Sequence, residues 1–361
     1  MDVFDLIIIG GGPTGLNCAI SALRRDMRVL VLEKGLLVNS IYRFPTNMTF
    51  FSTSRLLEIA GTPFISHGDK PTRTEALEYY RRLQESFHIP VNLYEEVQSM
   101  TPAGSGLYRI NTRKAAYFAR SVIVATGFYD TPRKLEIPGE ELPKVKHYYD
   151  DAHPYIGQNL LVIGAANSAC DVALETWQKG AKVTMAIREN EIYPRVKYWI
   201  RPNIENRIKE GSIKAYFNTV VREIRPDEAV LEGPEGTVTL PNDFVLAMTG
   251  YKPDYALLNS LGLEISGDGH QVPLHDPETL ETHLPNVFIA GVVCAGLKTS
   301  TLFIENTREH SEIILTQLAE RLGIKNNFTS FNMRTILNFA PKKDNRTCQK
   351  NSLRSRQMNS N

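Results

Sequence analysis

The chain has 361 residues, enough for two domains, with 42% hydrophobic and 22% charged residues and a formal net charge of +1. That balance supplies no global field to attract nucleic acid or a membrane surface. The apolar run at residues 6–9 is too short to span a bilayer and follows acids rather than a basic segment, so no signal peptide is read and the cytoplasm is the expected compartment.

In chain order, residues 5–9 read as a strand buried on both faces and ended by glycine. A helix over 13–26 and a strand over 28–32 complete a parallel βαβ unit. A charged helix is expected over 74–87, and residues 121–125 form another buried strand, ended by Thr126-Gly127. The plan then restarts, with a strand over 159–163, a helix over 167–179, a strand over 182–187 and a later strand over 243–247 ended by Thr249-Gly250. One whole domain plan thus occurs twice. After about Asp254 the chain is expected to return to the first domain, with a strand over 286–290, Gly291, and a helix from about Thr301. The expected fold class is α/β, with two Rossmann-like dinucleotide-binding domains, one inserted into the other. Residues 1–152 and 256–324 form the first and 153–255 the second, with hinges near His153 and Asp254. Residues 325–361 read as a basic, disordered tail: Lys342, Lys343, Arg346, Lys350, Arg354 and Arg356 face the single acid Asp344 across its last stretch.

Two turns carry the chemistry. Gly10-Gly11-Gly12-Pro13-Thr14-Gly15 fits G-x-G-x-x-G between a strand and a helix. Its glycines allow the tight turn and the close approach of a pyrophosphate to the helix N-terminus. Glu33 ends the next strand, placed to bind a ribose 2′-OH and to repel a 2′-phosphate, which suits FAD or NAD. The second turn, Gly164-Ala165-Ala166-Asn167-Ser168-Ala169, has Ala166 in place of the middle glycine. Its following strand ends in Arg188, whose guanidinium matches a 2′-phosphate, so this site suits NADPH, with Arg195 and Lys197 able to assist. An acid at one site and an arginine at the other point to a flavin reductase. The four cysteines, Cys18, Cys170, Cys294 and Cys348, form no C-x-x-C pair and no zinc spacing, so neither a redox dithiol nor a metal site is read.

These features resemble the low-molecular-weight thioredoxin reductases, and more closely the bacillithiol-disulfide reductases. The matching stretches include Asn39-Ser40-Ile41-Tyr42, Phe50-Phe51-Ser52, Ala125-Thr126-Gly127-Phe128-Tyr129-Asp130, His147-Tyr148-Tyr149, Lys197-Tyr198-Trp199, Ala290-Gly291-Val292 and Phe303-Ile304-Glu305-Asn306. The resemblance covers about residues 1–324. It implies FAD held by Gly10, Gly12, Pro13, Thr14, Gly15, Glu33, Lys34, Ser40, Thr126, Gly127, Gly291 and Val292. It implies NADPH held by Gly164, Asn167, Ser168, Ala169 and Arg188. It also implies reduction of a low-molecular-weight thiol disulfide by a homo-oligomer.

The chain departs from that pattern twice. It lacks the C-x-x-C of thioredoxin reductases, which excludes their mechanism, because disulfide exchange needs a thiolate. Thr14 stands where the bacillithiol group carries a cysteine, so Thr14 is the catalytic candidate by position but cannot form a mixed disulfide. Cys18 and Cys170 read as core residues, and Cys294 as a buried thiol near the expected flavin. Two further functions stay open: an NADPH–ferredoxin or flavodoxin reductase, which needs no cysteine, and a non-catalytic flavin redox sensor.

Overall fold

The computed structural model describes residues 2–324. The expected tail, and Cys348 within it, lie outside the described residues.

The first segment runs β1 (Val3–Ile9), α1 (Pro13–Leu23), β2 (Val29–Leu32), α2 (Asn39–Tyr42), α3 (Ser54–Leu57), α4 (Arg73–Ser86), β3 (Val91–Asn92), β4 (Val97–Pro102), β5 (Tyr108–Thr112) and β6 (Ala116–Val124). The middle segment runs β7 (Val145–Lys146), β8 (Asn159–Ile163), α5 (Asn167–Gln178), β9 (Lys182–Ala186), α6 (Arg201–Lys209), β10 (Lys214–Tyr216), β11 (Val220–Ile224), β12 (Glu228–Gly233), β13 (Gly236–Pro241) and β14 (Phe244–Ala247). The chain closes with α7 (Tyr255–Ser260), β15 (Val287–Ile289), α8 (Ile304–Thr307) and α9 (His310–Arg321).

Two sheets organise these elements. The first has the order β3-β2-β1-β6-β5-β4, with β15 also on β6. Strand β6 is long enough to serve two partners on one side. Its first half pairs antiparallel with β5, and Val122 to Val124 pair parallel with β15. The second sheet has the order β10-β9-β8-β14-β7, and β11-β12-β13 form a separate antiparallel meander. Alternation along β1 explains the layering. Leu6 and Ile8 join a core with Leu16 and Ile20 of α1, Tyr80 of α4 and Ile314 of α9. Ile7 and Ile9 face the other way, to Ile110, Leu258 and Val293. Each such fully buried aliphatic side chain contributes about 1.5–3 kcal/mol. In the second sheet Val162 and Met185 pack on Ala173 and Ile204, while Leu161, Ile163 and Val245 pack on Ala229 and Leu231 of the meander.

The expected division at 152/153 does not follow the sheets. Strand β7 lies before it and pairs with β14, and Leu135, Ile137 and Leu142 pack into the meander core. The chain crosses earlier. The Arg133 N–H donates to the Gly250 carbonyl and the Lys252 N–H to the Thr131 carbonyl, both at 2.9 Å, around an antiparallel bridge between Pro132 and Tyr251. The outgoing and returning stretches are therefore bonded to each other at 131–133 and 250–252, whereas the hinges were expected near His153 and Asp254. Rings of Tyr129 and Tyr251 lie 4.2 Å apart beside this crossing. After it, Leu258 of α7 rejoins the first sheet's core with Val97 of β4. The helix expected from about Thr301 is two helices, α8 and α9, interrupted at Arg308 and Glu309.

Candidate dinucleotide sites

The first turn interlocks with a neighbouring strand end. Gly10 has φ +111°, and a Cβ there would lie 2.5 Å from the Ala125 carbonyl oxygen, so only glycine fits. Helix α1 then starts at Pro13, whose missing N–H costs nothing at that position. No side chain caps α1, which leaves its first N–H groups and its positive dipole end for a ligand. Beside the turn lies an open cleft whose lining includes Gly10, Glu33, Lys34, Thr126, Gly127 and Asp130.

Glu33 is buried, and its two oxygens each accept a backbone N–H, from Gly11 at 2.7 Å and from Gly35 at 2.8 Å. Burial is the largest influence on its carboxyl and raises its pKa, while the two N–H donors act the other way. Each oxygen keeps a second lone pair, so the carboxylate can still receive a ribose hydroxyl. Lys34 pairs with Asp130 at 3.4 Å, and Asn39 of α2 donates to the same carboxylate at 3.1 Å. Two observations fit a bound dinucleotide. The Thr126 hydroxyl is buried with no hydrogen-bond partner among the described residues, and the space a Cβ of Gly12 would enter is empty to 4 Å. Gly12, Pro13, Thr14, Gly15, Ser40, Gly291 and Val292 lie outside the cleft lining.

Thr14 meets the end of the chain's return. A Cβ on Gly291 would lie 2.8 Å from its Oγ1, and the Thr14 and Thr307 hydroxyls are 3.4 Å apart. Val292 faces Gly127, with 3.7 Å between its Cγ2 and the place of a Gly127 Cβ. Thr14, Gly291, Val292 and Gly127 therefore form one contiguous wall.

The second turn repeats the interlock. Gly164 has φ +126°, and a Cβ there would lie 2.6 Å from the Met248 carbonyl oxygen, just before Thr249-Gly250. Ala166 occupies the N-cap of α5 in extended conformation, and a Cβ is tolerated there. Asn167 accepts the Lys197 N–H at 3.0 Å, and the Tyr193 N–H donates to the Ala165 carbonyl at 3.1 Å. The loop after β9 is thus strapped to the turn. Ser168 is exposed and Ala169 buried. The Arg188 side chain is 80% exposed and pairs with Glu189 at 2.7 Å. An arginine so exposed can turn to a phosphate at little cost. Lys197, expected to assist it, has its ammonium 3.6 Å from Asp171 and 3.4 Å from the Phe51 ring centroid.

Residues 7–291 match the pyridine nucleotide-disulphide oxidoreductase family. The chain belongs to this family. It is 44% identical to the bacilliredoxin reductase of Bacillus subtilis over 87% of this chain and 97% of the other. The bacillithiol disulfide reductase structure from Bacillus cereus superposes with a TM-score of 0.86 at 40% identity, covering 89% of this chain and all of that one. The thioredoxin reductase of Lactococcus lactis, at 22% identity and TM-score 0.70 over 88% of this chain and 98% of its own, shares the fold. The protein is thus an FAD- and NAD(P)H-dependent oxidoreductase of thioredoxin-reductase-like fold.

None of this oxidoreductase's described cysteines is a ready nucleophile. Cys18, Cys170 and Cys294 are free thiols in the core. Burial raises all three pKa values, to about 12 for Cys170 and Cys294 and well above the ordinary range for Cys18. Sequence reasoning missed Gly11, Asp130, Thr307 and His310, the last of which accepts the Gly291 N–H. Gly11 and Asp130 lay inside quoted motifs and differ only in contacts that sequence does not display. Thr307 and His310 had no spacing signal, because they reach the site through tertiary packing of α8 and α9. Among the described residues no helix is long and apolar enough to cross a membrane.

Proposed function

We propose that the protein reduces a low-molecular-weight disulfide of the bacillithiol type with electrons from NADPH, in the cytoplasm and as a homo-oligomer. The overall change is RSSR + NADPH + H⁺ → 2 RSH + NADP⁺. The observation that carries this reading is the relation to the bacillithiol disulfide reductase structure at 40% identity over nearly the whole described chain.

Each site has its own residues. FAD would be held by Gly10, Gly12, Pro13, Gly15 and the α1 N-terminus at its phosphates, and by Glu33 and Lys34 at its adenosine half. Thr14, Ser40, Thr126, Gly127, Gly291 and Val292 would hold the remainder. NADPH would be held by Gly164, Asn167, Ser168 and Ala169 at the α5 N-terminus, and by Arg188 at the 2′-phosphate. We assign residues up to the crossing at 131–133, and those after 252, to the FAD domain, and the stretch between to the NADPH domain. Bound FAD supplies the step between a two-electron hydride donor and the acceptor. The chain's own part is to orient both nucleotides and exclude water. Thr14 offers a hydroxyl but no thiolate, so electrons leave without a mixed disulfide at that position.

The test is NADPH oxidation by the FAD-loaded protein with oxidised bacillithiol, beside Thr14→Cys. Turnover by the natural protein supports the reading. No turnover, with activity gained in the variant, would mean the substrate class is wrong. One observation favours a second reading: with Thr14 and three buried thiols, a ferredoxin or flavodoxin acceptor would need no cysteine. Reduction of such a carrier, unaffected by thiol alkylation, would replace the first reading.

A further inference from the structure

The return of the chain into the first site is held from behind. Strand β15 ends at Ile289, and the Ala290 N–H still bonds the Val124 carbonyl at 2.9 Å. Gly291 is the first residue to leave the sheet. It packs on Thr14 at the start of α1, and Val292 after it faces Gly127 beyond the end of β6. Its own N–H has no strand partner, and donates instead to His310 Nδ1 at 3.1 Å. His310 opens α9, and Thr307, three residues earlier, faces the Thr14 hydroxyl. One short segment thereby touches both sides of the wall.

We infer that His310 is a positioning residue for the first dinucleotide site: its Nδ1 accepts the Gly291 N–H and so fixes the turn that packs on Thr14 and Gly127. An imidazole that accepts at Nδ1 is uncharged and carries its proton on Nε2. The surroundings favour that form. Burial lowers the basicity of His310 to a pKa of about 4, with His275 adding to the effect. The assignment rests on the FAD reading of the first site.

The test uses the full chain loaded with FAD and three substitutions. His310→Leu removes the acceptor, His310→Asn restores one at the δ position, and His310→Gln places its polar end at the ε position instead. The leucine variant should bind FAD at least tenfold more weakly, since it leaves a buried N–H unpaired, and should alter the flavin's visible circular dichroism. Asparagine should restore both to near wild type, and glutamine neither. Leucine behaving as wild type, or asparagine failing as badly as leucine at unchanged melting temperature, would overturn the inference. ¹⁵N-histidine NMR of the wild-type holoprotein decides independently of any variant: an unprotonated acceptor Nδ1 at His310 near pH 7 supports it, and a protonated Nδ1 overturns it. Wild-type protein that takes up no FAD would remove the site reading itself, a result distinct from FAD-loaded protein indifferent to His310.

Discussion

Replacing Glu33 with glutamine probes the first site with a change of one atom. The carboxylate now serves two backbone donors, Gly11 N–H at 2.7 Å and Gly35 N–H at 2.8 Å. Glutamine has one oxygen and one NH₂ to offer to those two donors. One hydrogen bond survives, uncharged, and the other becomes a donor facing a donor. A hydrogen bond to a charged group contributes about 1.5–3 kcal/mol, and relief of the buried charge returns part of it, so the apoprotein should lose about 1–2 kcal/mol. FAD affinity should fall further, by about tenfold to a hundredfold, because Gly11 belongs to the phosphate turn and the ribose loses an acceptor. Thermal unfolding of the apoprotein measures the first quantity and titration of flavin fluorescence the second. A Glu33→Gln protein that melts with wild type and binds FAD as tightly would refute the assignment of Glu33 to both tasks.

Further expectations follow from the same geometry. Arg188→Ala should raise the KM for NADPH about tenfold with little change in kcat, and leave NADH kinetics alone; equal effects on both nucleotides would remove the 2′-phosphate assignment. Gly164→Ala should abolish NADPH binding yet leave the FAD spectrum intact, because its Cβ would strike the Met248 carbonyl oxygen; loss of flavin in that variant would contradict two separate sites. Iodoacetamide on the native protein should leave Cys18, Cys170 and Cys294 unmodified by peptide mass analysis, since all three are buried thiols with raised pKa values. The pKa of His310 is lowered from about 6.5 to about 4, so its contribution to stability is full above the higher value and is lost as pH falls toward the lower. Wild-type apoprotein should therefore lose more melting temperature than His310→Asn between pH 7 and pH 4.5, and parallel losses would show that His310 does not titrate in that window.

Much of the fold was legible because its central elements are buried on both faces. The buried C-terminal parts of β1, β6, β8 and β14 stand out as unbroken apolar runs, and glycine or Thr-Gly marks where each stops. Strands β4, β5, β11 and β13 escaped because exposed polar residues interrupt them and read as loop, and β12 because its buried run, Ala229 to Leu231, is only three residues long. That the second sheet reaches back before residue 153 was hidden for a related reason: β7 is two residues long, too short to show any period. The two nucleotide turns were legible because a glycine pinned against a carbonyl, as Gly10 is at Ala125 and Gly164 at Met248, leaves a fixed spacing in sequence. The wall around Thr14 was not, because Thr307 lies 293 residues from its partner and nothing local requires the contact.

The bonded crossing of residues 131–133 with 250–252 makes the intervening stretch a cassette. On the two-domain division proposed above, it begins and ends at the same spot on the FAD domain, its host, which needs no long span to close over its removal. A related reductase's counterpart could be spliced in at these two points with no new linker. The host would then receive a different nucleotide preference, while the wall formed by Thr14, Gly127 and Gly291 would remain as it is.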